Sequence, residues 1–204
     1  MTDIDSIRSD LAFMRAMADD GRMPSPQGGA ILAGGGFIFG LASFVAWALL
    51  DGRLPGGAPA VWIPWAAAMA VFTPVLVLSL RAIGREKGKE VDQGLPAVAG
   101  MAWAGLGGAM FTLIVAAVAA NVVTGSPAVW AFVPSVFVAL YGAGWTVNCA
   151  ASGRSWMRTV ALASFAASVV LACLAGSPAV YLGYGAALIA LGGLPGLALA
   201  RGRG

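Results

Sequence analysis

Six stretches of this 204-residue chain are long, apolar and free of charge, and no other feature limits the fold so strongly. They run Gly28–Leu50, Pro59–Leu80, Ala97–Val122, Pro127–Val147, Thr159–Leu174 and Pro178–Ala200. Crossing about 30 Å of hydrocarbon takes roughly 20 helical residues, which most of them supply and the fifth approaches. None contains Asp, Glu, Lys or Arg. The runs are continuous and do not alternate in short segments, so they predict helices and exclude a closed barrel. The expected fold class is therefore an all-α membrane protein with six transmembrane helices. Composition agrees: 10% of residues are charged, against about 25% in soluble domains.

The basic residues set an expected orientation. Arg8, Arg15 and Arg22 precede the first span, and Arg81, Arg85, Lys87 and Lys89 follow the second. Arg154 and Arg158 separate the fourth and fifth, and Arg201 and Arg203 follow the sixth. Eleven of the twelve basic residues thus share one side, with only Arg53 on the other. The positive-inside rule puts that side, and both termini, in the cytoplasm of a bacterial-type inner membrane. The first 27 residues hold no apolar core of a cleaved signal peptide, so the first span is expected to direct insertion.

A short motif recurs at each expected outer turn. Gly57-Ala58-Pro59-Ala60-Val61-Trp62 returns as Gly125-Ser126-Pro127-Ala128-Val129-Trp130, and again as Gly176-Ser177-Pro178-Ala179-Val180-Tyr181. Glycine lets the chain leave one helix with positive φ, and proline suits the first turn of the next. The reading is three in–out–in hairpins, about 28–80, 97–147 and 159–200, with a pseudo-threefold repeat as the expected arrangement. Aromatic residues fit the same map. Trp47, Trp62, Trp65, Trp130, Tyr181 and Tyr184 fall near the outer interface, and Trp103, Trp145 and Trp156 near the inner one, as aromatic belts do.

Small residues predict where helices meet. Span three carries Gly100, Ala104, Gly108 and Thr112 at every fourth position, and span one carries Gly36 and Gly40 at GxxxG spacing. Such stripes let backbones approach closely, which places span three near the centre of a tight bundle. Whether the span-one glycines face inward or join two protomers stays open at this point. Pro64, Pro74, Pro134 and Pro195 lie in the even-numbered spans, where each is expected to free a backbone carbonyl. They are candidates for kinks or, in the sharper reading, for a solute site of the kind broken helices build. Cys149 and Cys173 fall at opposite ends of the bundle and are expected to stay unpaired.

Residues 1–27 read as a cytoplasmic amphipathic helix and linker, ahead of a six-helix domain over 28–204. Ile4, Ile7, Leu11 and Met14 are spaced 3-4-3 along one seam, which Phe13 and Met17 widen. Gly21 and the prolines at 24 and 26 stop the helix. Helices that lie on anionic lipid are rich in Lys and Arg, whereas here five Asp outnumber three Arg. The seam is therefore expected to pack on protein, either its own bundle or a cytoplasmic or membrane partner.

Function follows only coarsely. The sequence has no histidine, and no carboxylate lies inside a span. A nucleophile–base pair or a metal cluster is hard to assemble from what remains, so neither enzyme activity nor a metal or other cofactor is expected. Nucleic-acid binding lacks a basic domain to support it. The leading expectation is a non-catalytic subunit in membrane lipid that docks a partner, regulates or assembles through its N-terminal helix and packing faces, homo-oligomers included. The alternative is a transporter, channel or substrate-binding subunit for a small uncharged or aromatic solute. A filled core favours the first; a polar or aromatic cavity between kinked helices favours the second.

Overall fold

The computed structural model of the protein describes residues 26–87 and 95–202, with side chains over 28–84 and 99–202. The N-terminal seam from Ile4 to Met17 lies outside the described residues. Among those described, every regular element is helical: α1 (Pro26–Leu50), α2 (Trp62–Lys87), α3 (Leu95–Thr124), α4 (Val133–Ser152) and α5 (Ser155–Cys173). The sixth span divides into α6 (Ala179–Leu188), a π-helical segment (Ile189–Gly193) and α7 (Leu194–Ala200). Six spans are long and apolar enough to cross a bilayer, making this a multi-pass helical membrane protein.

The recurring turns share local geometry. Gly57, Gly125 and Gly176 all have positive φ, at 57°, 65° and 87°. Ser126 and Ser177 then accept from the backbone N–H two residues on, at 3.3 and 3.2 Å. The proline that follows opens a single-turn helix, as in Ala58–Ala60 and Pro127–Ala131. These turns shift the α-helices inward from the expected starts. Pro64 becomes the third residue of α2, and Pro134 the second of α4. Both sit where a missing N–H costs nothing, so neither is a kink. Pro74 alone lies inside an uninterrupted α-helix, and Pro195 follows the π segment.

Helix packing is uneven. α1 packs along α2 on one side and along α6, the π segment and α7 on the other. α4 packs most closely on α5, after a two-residue connection in which Gly153, with φ 72°, donates its N–H to the Cys149 carbonyl. α3 packs chiefly on α4. Span three is thus peripheral, not central as its small residues implied. Its bulkier face makes the contact: Trp103 and Leu106 close over Gly144, and Ala117 is buried. The closest pairs, α4 with α5 and α1 with the sixth span, join different hairpins, while α5 meets α6 only lightly. The packing therefore does not repeat from hairpin to hairpin.

Candidate functional site

The site is built on the seam between α1 and the sixth span. A Cβ placed on Gly36 would lie 2.2 Å from the Gly193 nitrogen, and one on Gly196 would lie 2.5 Å from the Ala33 nitrogen. Gly40 and Gly185 face each other's carbonyl oxygens at 3.1 and 2.8 Å in the same sense. Backbone meets backbone along the seam, which only glycine allows. Gly36 and Gly40 therefore face inward within one chain. Ser43, fully buried, ties the end of the seam nearer Asp51 by donating to the Tyr181 carbonyl at 2.6 Å.

Against this seam α4 presents Tyr141 and Trp145. Trp145 has no exposed surface, and its indole Nε1–H donates to the Leu191 carbonyl at 2.8 Å. In a regular α-helix that carbonyl would accept from residue 195, but proline has no N–H to give. The indole thus supplies the donor at the break in the sixth span. Around it, Trp103 of α3 and Trp156 of α5 each pack with ring centroids 5.8 Å from Trp145. Tyr141 meets Trp103 at 5.8 Å in an edge-on contact. The Nε1–H groups of Trp103 and Trp156 are buried and find no acceptor, an uncommon state for a polar group out of water. The three tryptophans assigned to an inner belt thus pack against one another as a cluster. Toward the other end, Trp65 lies over Tyr181 and Tyr184 at 6.3 and 6.2 Å.

A second polar tie joins α4 and α5. Ser135 Oγ donates to the Ser168 carbonyl at 2.8 Å, and Ser168 Oγ donates to the Ser135 carbonyl at 2.9 Å. Other hydroxyls bond one turn back along their own helix, as Ser164 does to Val160 and Thr146 to Gly142. Nothing in the sequence separates these two behaviours, since each serine sits at a similar depth in an apolar run. Trp145 escaped for a related reason: an aromatic residue near a span end reads as a belt residue until its donor is seen to be used.

Trp145, Met157, Ser43 and Ser164 have no exposed surface. Two open grooves among the described residues are lined almost wholly by apolar side chains. One, of about 320 Å³, lies between α3 and α4 around Ala117, Phe132 and Val136. The other, of about 410 Å³, lies between α4 and α5 around Cys149, Ala161 and Phe165. Neither is lined by Pro64, Pro74, Pro134 or Pro195. The stripe Gly100, Ala104, Gly108 and Thr112 faces outward and is exposed. A Cβ on Gly100 or Gly108 would meet nothing within 4 Å among the described residues. Cys149 and Cys173 are both free thiols. Among the described residues no three His, Cys, Asp or Glu side chains come together to hold a metal ion. No protein-family model, curated protein or solved structure matches the chain.

Proposed function

We propose that this protein is a non-catalytic membrane subunit that docks, regulates or assembles with a partner in the bilayer, a second copy included. One observation carries the reading. Of the glycine-bearing faces, that between α1 and the sixth span is consumed by backbone contact, whereas the α3 face from Gly100 to Thr112 is exposed among the described residues, with open space over Gly100 and Gly108. Small-residue faces are the usual device by which membrane helices associate, because lipid gains little from packing against bare backbone. The rings packed around the fully buried Trp145 support the same reading, since they fill the space where α3, α4 and α5 meet. The amphipathic segment over residues 3–20 would serve as a cytoplasmic arm of the same assembly. The orientation proposed is three in–out–in hairpins with both termini cytoplasmic, on the strength of eleven of twelve basic residues at one end.

The test is co-purification in a mild detergent of tagged full-length protein, a 20–204 truncation and a Gly100→Ile/Gly108→Ile variant. Stoichiometric retention of one protein or a second copy, lost from either altered form, is expected. Identical, partner-free behaviour of all three would overturn the reading.

A second reading has its own observation. The Nε1–H donors of Trp103 and Trp156 flank Trp145 without acceptors, and a small aromatic solute carrying an acceptor would satisfy them. Solute-dependent quenching of tryptophan fluorescence that Trp156→Phe abolishes would favour this reading over the first.

A further inference from the structure

The flank between α4 and α5 carries chemistry that the assembly reading does not use. The groove there is walled by Thr146 and Ala150 from the last turns of α4, and by Ala161, Leu162 and Phe165 from α5. Arg158 lines it as well, and is the charged residue in the lining. Arg158 lies one turn inside α5, whose first residue is Ser155. Phe165 is seven residues further on, so the groove runs about 10 Å along the helix axis. Half a hydrocarbon core is about 15 Å deep. The groove therefore starts with a guanidinium at the membrane edge and descends as an apolar channel toward the bilayer middle. A lipid of that leaflet has the same order of parts, a headgroup at the edge and a chain below.

Charge distinguishes among lipids. Among the described side chains the one carboxylate is Asp51, which pairs with Arg53 at 2.7 Å at the opposite end of the bundle. By sequence the Arg158 end holds eleven of the twelve basic residues against eight of the nine carboxylates, and is net positive. Basic pockets between membrane helices favour anionic headgroups, and a long arginine stem lets its head reach the interface. The aspartate-rich N-terminal segment is a poorer occupant, since entering the channel would carry its charges into hydrocarbon.

We propose that the α4–α5 groove is a binding site for one anionic glycerophospholipid, with an acyl chain along Ala150, Ala161, Leu162 and Phe165 and its phosphate on Arg158. This does not depend on the assembly reading and can fail or hold without it.

The test is native mass spectrometry of the delipidated full-length protein in detergent. It is offered an equal mixture of phosphatidylglycerol and phosphatidylcholine with matched chains. The wild type is expected to retain one phosphatidylglycerol in preference to phosphatidylcholine. Arg158→Gln should lower phosphatidylglycerol retention about fivefold and leave phosphatidylcholine unchanged. Ala150→Trp, at an exposed groove wall, should lower both lipids; its thermal unfolding is measured alongside to establish that it folds. Arg201→Gln, at the same end but off the groove, should bind as wild type. Equal retention by wild type and Arg158→Gln would overturn the proposal. So would an Arg201→Gln loss as large as that of Arg158→Gln, which would mean diffuse charge and no site. Retention that appears only after residues 2–19 are removed would also overturn it, by assigning Arg158 to the N-terminal segment.

Discussion

The indole N–H of Trp145 donates to the Leu191 carbonyl at 2.8 Å, the carbonyl that Pro195 leaves without its helical donor. A defect in one helix is thus repaired by a side chain from another, and the pair fixes α4 against the π segment of the sixth span. Trp145→Phe removes the donor but keeps an aromatic ring. The expected cost is about 1–3 kcal/mol, from an orphaned buried acceptor together with lost volume. Trp156→Phe should cost less than half as much, because its N–H has no acceptor to lose. In a Pro195→Ala background an N–H returns to position 195, and Trp145→Phe should become milder. Unfolding of the four forms in mixed micelles reads this cycle. Equal costs in both backgrounds would mean the indole bond does not substitute for the missing one.

Gly36 and Gly108 predict opposite outcomes for one substitution. A side chain at Gly36 must displace the Gly193 backbone, 2.2 Å from its Cβ. Gly36→Ile should therefore separate α1 from the sixth span, costing about 3 kcal/mol, the upper end of the usual range for overpacked cores. Gly108→Ile meets nothing among the described residues, and should change stability by about 0.5 kcal/mol or less. Thermal unfolding in detergent compares them directly. A Gly108→Ile protein as unstable as Gly36→Ile would show that α3 packs on its glycine face.

Ser135 and Ser168 exchange two hydroxyl-to-carbonyl bonds across α4 and α5. Each bonds the other residue's backbone, so each alanine substitution removes one donor and leaves the other in place. Each alanine should therefore cost about 0.6 kcal/mol, the average for hydrogen bonds between membrane helices, and the two costs should add in a double-mutant cycle, since each accepting carbonyl survives the other substitution. A coupling larger than about 0.5 kcal/mol would contradict two independent bonds.

The positions of the six spans were legible because charge marks their ends: Asp51, Arg81, Arg154 and Arg201 all fall just outside an apolar run. The starts of α2 and α4 were less so. Pro59 and Pro127 announce a helical turn, but that turn is a separate single-turn helix, and Pro64 and Pro134 then begin the α-helix proper. Which glycine face packs inside the bundle was not legible at all. Gly36 and Gly108 have the same spacing signal, and only the bulk on the opposite face separates them: Trp103 and Leu106 draw α3 onto α4 by its other side. The tie from Trp145 to Leu191 needs two residues 46 positions apart and a π segment that no local pattern announces.

The most direct test of the assembly reading is the number of protein chains per particle when membranes are extracted with a detergent-free polymer, for wild type and for Gly100→Ile/Gly108→Ile. Light scattering or mass photometry of the purified particles gives the protein mass. The account predicts a wild-type particle holding a second protein chain, either a copy or a partner, and a variant particle holding one. A wild-type particle with a single chain, unchanged by the substitutions, would contradict it.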